Sequence, residues 1–339
     1  RMLSSLADLT TGSNGAIKLV ADDGTITING GGDATGVSAD GTGDVLLESR
    51  TGGTAGSDVV INAGVLSGTG HITLNAADDV DVNAVLTTGG SGTVYINAGD
   101  DEATGINGIA LDAVVTTVDG DVLLTSADDI LQTALITSTN GDIGLIAGDT
   151  ITQTATGDIT TTDGDVLVDA GGHWTMDGAA EITAGGQDVL GQSGGTITLG
   201  VIRVTDAAMN QIALSAAESI VDGNSDSLNI EETVPGAATS VSLRAGTGMI
   251  GGAGGTTSAT NAQALDLNVD TVAASSATGV YLREVAAGGA IEVNTAASVS
   301  IDIDGVVRSD FDSGTTDVSE ARMLSSLADL TTGSNGAIK

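Results

Sequence analysis

Cysteine is absent from this chain, proline occurs once (Pro235), and rings are confined to Tyr95, Trp174, Tyr281 and Phe311. Without cysteine there are no disulfides and no thiolate metal ligands, and the redox compartment stays open. Without rings the chain lacks the large side chains that usually fill the core of a globular enzyme of 339 residues. Positive charge is scarce too. Nine Lys and Arg stand against 45 Asp and Glu, a formal net charge of −36. No basic footprint exists for nucleic acid or for an anionic membrane surface. No apolar run approaches the roughly 20 residues that span a bilayer, so no membrane insertion is expected in this segment.

What remains is Gly (51 residues) and a 40% hydrophobic fraction made almost entirely of Ala, Val, Ile and Leu. These residues alternate. The pattern [Val/Ile]-x-[Leu/Ile/Val]-x-Ala recurs as Ile17-Leu19-Ala21, Val59-Ile61-Ala63, Ile72-Leu74-Ala76, Val94-Ile96-Ala98, Ile143-Leu145-Ala147, Val166-Val168-Ala170, Ile212-Leu214-Ala216 and Val241-Leu243-Ala245. A period of two places each set on one face of a strand. A leading glycine recurs at Gly70, Gly92, Gly120, Gly141 and Gly164. Between these anchors lie an acidic corner (Ala77-Asp78-Asp79-Val80, Ala127-Asp128-Asp129-Ile130) and a segment of the type Ala134-Leu135-Ile136-Thr137. Three short strands and three corners in about 22 residues make one turn of a solenoid. The expected fold is therefore all-β, a parallel right-handed β-solenoid (β-helix). A β-sandwich would use Asn-Gly hairpins to join partner strands. Here Asn14-Gly15 and Asn140-Gly141 each precede the same strand type.

A longer repeat encloses the short one. Residues 1–18, RMLSSLADLTTGSNGAIK, return unchanged as residues 322–339, an offset of 321. The expected organisation is one period of a tandem array (1–321) followed by the start of the next identical period (322–339), continuous and without a linker. Leucines at Leu324, Leu327 and Leu330 also suit an amphipathic helix at this junction. Alignment of Leu327–Ile338 with Thr133–Ile143 favours another solenoid turn. At about 22 residues and about 4.8 Å per turn, one period rises on the order of 70 Å. The duplicated tail carries Arg322, Asp329 and Lys339, so a single period is one charge more negative than the whole.

Chemistry-bearing patterns are few. His71 and His173-Trp174 read as local corner contacts, and neither a nucleophile elbow nor a phosphate loop is present. No enzymatic activity is expected. Paired acids recur at one corner, with Asp78-Asp79 and Asp128-Asp129 the clearest and Asp22-Asp23 and Asp100-Asp101 related. Stacked turns bring such carboxylates to about 4.8 Å. They either cap the turn by accepting backbone N–H groups or bind Ca²⁺, which favours hard oxygen ligands. Asp222-x-Asn224-x-Asp226 opens like a calcium loop, but Ser227 stands where such a loop needs Gly. Asp302-x-Asp304-Gly305 is similarly partial. Apolar residues also fall at outward positions: Val20, Leu46, Val60, Leu123, Ile146 and Leu167. Aligned along a rod, they form a stripe suited to lateral contact between copies.

The run Gly120-Asp121-Val122-Leu123-Leu124-Thr125-Ser126-Ala127-Asp128-Asp129-Ile130, followed by Gly141-Asp142-Ile143, resembles the repeats of filamentous haemagglutinin-type and autotransporter-type bacterial surface proteins. The likeness extends over most of the chain. It implies an extracellular location at a bacterial cell surface and a rod-like adhesin or fibre, and it brings no catalytic residues. The expected function is a structural filament or stalk whose main partner is itself, end to end and side by side. The alternative is an adhesin that binds a polysaccharide or a receptor through loops protruding from the solenoid.

Overall fold

Residues 8–50, 56–99, 108–205, 210–225, 227–234, 239–252, 263–285, 291–312, 314–333 and 336–339 are described by the structure, a computed structural model. All of their regular structure is β, and no helix occurs among them. The chain divides into two compact units. The first comprises Arg1–Ile146 with Ile303–Glu320, the second Ala147–Asp302 with Ala321–Lys339.

In each unit the chain passes repeatedly through three parallel sheets. Among the described residues, twelve strands are of the first kind, thirteen of the second and twelve of the third. One coil of the first unit shows the pattern: Gly64–Ser67 in sheet 1, Ile72–Ala76 in sheet 2 and Val80–Val82 in sheet 3. Each strand pairs in parallel with its counterpart one coil away, for example Val45↔Ile72↔Val94↔Val122 in sheet 2. The second unit repeats this with Val166–Ala170, Val189–Ser193, Gln211–Ala216, Ser240–Ala245 and Thr271–Ser276. The fold is a parallel β-solenoid with three short strands per turn, as the alternation predicts.

The corners explain the glycine spacing. A Cβ on Gly70 would lie 2.4 Å from the carbonyl oxygen of Gly43, one on Gly92 2.4 Å from that of Gly70, one on Gly120 2.0 Å from that of Gly92, and one on Gly141 2.3 Å from that of Gly120. Backbones stack too closely here for any side chain. Hydroxyls from the preceding corner fasten the same carbonyls: Ser67 donates to Gly43 O (2.8 Å) and Thr88 to Gly70 O (2.6 Å). Amide ladders tie other corners, with Asn62 donating to Asn29 and Asn83 to Asn62, each at 3.1 Å. The aliphatic interior leaves little room for rings. Trp174 is wholly buried, donates its indole N–H to Gln153 Oε1 (2.9 Å), and is fitted only because Gly191 faces it.

Sheet 2 strands bury their first, third and fifth residues inward, yet the outward second residue is buried as well. The cover is a long two-stranded hairpin, Val299–Asp310 with Gly314–Leu324. Its inner face presents Val299, Ile301, Ile303 and Val306, each at most 1% exposed. The alternation slips by one residue at Gly305, whose φ of 73° belongs to the left-handed region that glycine tolerates best. In the first unit Ile303 sits over Gly144, where an added Cβ would come within 3.1 Å of it. Val307 N–H then bonds Thr93 Oγ1 (3.0 Å), Ser309 N–H bonds Thr73 Oγ1 (2.9 Å), and Lys18 Nζ donates to Asp310 O. Seven residues of extended strand span about 23 Å, and the five coil steps from Gly144 to Lys18 rise about 24 Å. The strand thus runs along the stacking direction of these coils.

In the second unit the hairpin interrupts a single sheet 2 strand. Glu292–Val293 pairs with Thr271 and Val272, and Leu330–Thr332 pairs with Ala274 to Ser276. Ala296 and Leu327 close the base with a reciprocal pair of backbone hydrogen bonds, 2.8 and 3.0 Å. The junction contains strand, not the amphipathic helix weighed above: Arg322 to Leu324 finish the hairpin. The duplicated segment takes two different places. Leu9–Thr10 lies in sheet 1 and Ile17–Ala21 in sheet 2, whereas the matching Leu330–Thr332 lies in sheet 2 and Ala337–Ile338 in sheet 3.

Candidate functional site

The acidic corner of the first unit gathers three carboxylates. Oxygen atoms of Asp58, Asp78 and Asp79 all lie within 4.8 Å of one another. Asp78 and Asp79 come from one corner, and Asp58 from the coil before it. Val59 pairs with Val80, which stacks Asp58 on Asp79 and Ser57 on Asp78. Backbone donors meet part of this charge: Gly108 N–H bonds Asp79 Oδ1 (2.6 Å) and Gly56 N–H bonds Asp78 Oδ2 (3.2 Å). Thr25 Oγ1 lies 3.1 Å from Asp58 Oδ2. Burial pushes the Asp79 carboxyl up to about 6. The Gly108 hydrogen bond opposes the rise, while the charges of Asp78, Asp58 and Asp81 add to it.

The other sequence candidates lie at further corners. Asp128 N–H bonds Ser126 Oγ (3.1 Å), and Asp129 opens a strand in register with Gly108, two coil steps along the column from Asp79. Asp222 accepts Asn224 N–H (2.8 Å) and Asn229 Nδ2–H (3.0 Å) on Oδ1, and Asn224 Nδ2 donates to Gly200 O and Leu228 O. That geometry is a side-chain-stapled turn. Asp226, like Asp100 and Asp101, lies outside the described residues.

A second acidic column precedes sheet 2, and here capping dominates. Asp121 Oδ1 accepts Asp142 N–H (2.8 Å), Asp165 Oδ1 accepts Asp188 N–H (2.8 Å), and Asp188 Oδ1 accepts Gln211 N–H (2.8 Å). Each carboxylate thus binds the equivalent amide one coil on. Burial pushes Asp121 and Asp165 up to about 6, with neighbouring acids adding to the effect. His71 belongs to this column. Its Nδ1 accepts Thr93 N–H (3.1 Å), and burial lowers its pKa against the pull of Asp44 and Asp317. His173 Nδ1 likewise accepts Thr196 N–H (3.0 Å). Both histidines are corner pieces.

The lateral stripe requires correction. Leu46, Leu123 and Leu167 occupy the second position of sheet 2 strands and are at most 1% exposed, because that face lies beneath the hairpin. Val20 and Ile146 stand at the fourth position and Val60 in sheet 3; all three are partly exposed and form no common line with the leucines. Reading by periodicity assigned faces but missed a cover supplied from about 180 residues downstream.

The second unit carries an open groove of about 840 Å³. Its floor is a ladder of small residues at the ends of sheet 2 strands, including Ala170, Ser193, Ala216 and Ser276. Asp169, Gln192 and Arg244 line it with polar groups. Beside it Arg322 Nε meets Asp169 Oδ2 (2.5 Å), and Arg244 Nη2 donates to Ser325 O (2.6 Å) and Ser326 O (2.9 Å).

No family model, curated protein or solved structure matches the chain.

Proposed function

We propose that this chain is a segment of a structural filament or stalk, built from tandem solenoid periods that continue end to end and carried outside a bacterial cell. The observation that carries the reading is the duplicated eighteen-residue segment. Both copies contribute strands to the sheets: Leu9–Thr10 and Ile17–Ala21 in the first unit, Leu330–Thr332 and Ala337–Ile338 in the second. The later part of the segment thus builds coil in both places, while Arg322–Leu324 of the second copy belong to the hairpin. The location follows from the resemblance of the Gly120–Ile143 run to bacterial surface repeats.

The test is physical length. Chains of one, two and three fused 321-residue periods, imaged by electron microscopy, are expected to lengthen by a constant increment. With about twelve coils per period and the hairpin adding no rise, that increment is on the order of 60 Å. Beads jointed at variable angles defeat the proposal.

A second reading has one observation in its favour. The open groove of the second unit, with its small-residue floor and the polar groups of Gln192, Asp169 and Arg244, suits an extended polar chain such as a polysaccharide. An adhesin of this kind is expected to bind glycans through the second unit, and to lose that binding on Gln192→Leu. Glycan binding that survives this change, or none at all, removes the reading.

A further inference from the structure

We propose that Asp58, Asp78 and Asp79, together with the Ser57 hydroxyl, form a divalent-cation site of the calcium class that clamps two successive coils of the first unit. Three carboxylates whose oxygens all lie within 4.8 Å repel one another, and among the described residues no Lys or Arg forms an ion pair with them. Two further oxygens are left over. Asp58 Oδ1 and Ser57 Oγ are both buried and have no hydrogen-bond partner. Ser57 is wholly buried and Asp78 is only 6% exposed.

Their direction follows from the coil register. Asp78 N–H bonds Ser57 O (3.3 Å), and Val59 pairs with Val80. Ser57 is therefore the residue directly stacked on Asp78, as Asp58 is on Asp79, and stacked positions of a parallel sheet send their side chains the same way. The unpartnered hydroxyl lies on the Asp78 side of the cluster. A buried hydroxyl and a buried carboxylate oxygen rarely stay unsatisfied without a ligand.

The donor set selects the ion class. All donors are hard oxygens, three of them anionic, and they come from two coils. Ca²⁺ takes oxygen ligands at about 2.3–2.6 Å in flexible geometry, so ligands on opposite sides of the ion stand up to about 5 Å apart. That matches the spread of these carboxylates. Mg²⁺ holds its ligands at about 2.0–2.1 Å in a strict octahedron and keeps most of its water. The ion also offsets the mutual repulsion of the three carboxylates.

The experiment is calorimetric titration of the full chain with CaCl₂ in high monovalent salt, which suppresses diffuse counterion attraction to so acidic a protein. One saturable event is expected, with Mg²⁺ binding at least about tenfold more weakly. Asp58→Asn with Asp79→Asn is expected to abolish that event, and Ser57→Ala to weaken it. Asp222→Asn is expected to leave it unchanged. The double variant should also melt at a higher temperature than the parent in chelator, because it lacks the repulsion, and should no longer gain stability from calcium. Undiminished calcium binding by the folded double variant, no saturable binding by the parent, or equal affinity for Mg²⁺ overturns the assignment.

Discussion

At the scale of residues, the fold stacks like on like: carboxylate over carboxylate, glycine over glycine. Buried Asp121 and Asp165 titrate near 6 against an ordinary 3.8. The folded state then binds these protons more tightly than the unfolded chain. The stabilisation is complete below about 3.8 and is lost as pH rises through about 6. His71 opposes this, because burial favours its neutral form and its contribution fades as pH falls. The carboxylates outnumber it. The melting temperature in calcium-free buffer is expected to rise from pH 7 to pH 5, and calorimetry that shows a fall there contradicts the account. Gly120→Ala is expected to cost about 1–3 kcal/mol in denaturant unfolding, since its Cβ would stand 2.0 Å from Gly92 O. The glycine column was legible in the sequence, because a backbone that must stack on itself admits no other residue. Asp58 was not. Its neighbours are Ser57 and Val59, and it joins the Asp78-Asp79 pair only through the coil register.

The hairpin is the element that sequence patterning least prepares for. Val299-Ile301-Ile303 alternates as the solenoid strands do, and only its continuation to Asp310 exceeds their five or six residues. The expected lateral leucines were a consequence of that omission: Leu46, Leu123 and Leu167 do face outward, but onto another part of the same chain. Gly144 and Ile303 fit as hole and knob, so the contact can be tested from either side. Ile303→Ala is expected to loosen the hairpin by about 2–5 kcal/mol of lost packing. Gly144→Leu is expected to unseat it by occupying its place. Either change should raise protease cleavage within 303–320 and the binding of a hydrophobic dye to the uncovered leucines, while the parallel sheets keep their circular-dichroism signal. A hairpin equally protected in Gly144→Leu rules out this seating.

For the molecule as a whole, the coil architecture was readable because it is written as repetition. The frame was not. The same eighteen residues occupy sheets 1 and 2 at one end and sheets 2 and 3 at the other, so neighbouring strands, not the local sequence, choose the sheet. In the filament proposed above, charge sets how copies meet. With a formal charge of −36, neighbouring copies repel at low ionic strength, and bundling is expected to increase with salt or divalent cations in light scattering. Bundles that dissolve as salt is raised contradict this. The interrupted strand of the second unit adds a mechanical property. Residues 294–329 are stored between two halves of one strand, Val293 and Leu330. Under tension along the chain, opening the Ala296–Leu327 bridge and peeling the hairpin releases these 36 residues, about 120 Å of contour length, before any coil unwinds. In single-molecule pulling, a fibre of such periods would yield in discrete, recoverable steps, each absorbing a sudden load while the sheets stay intact.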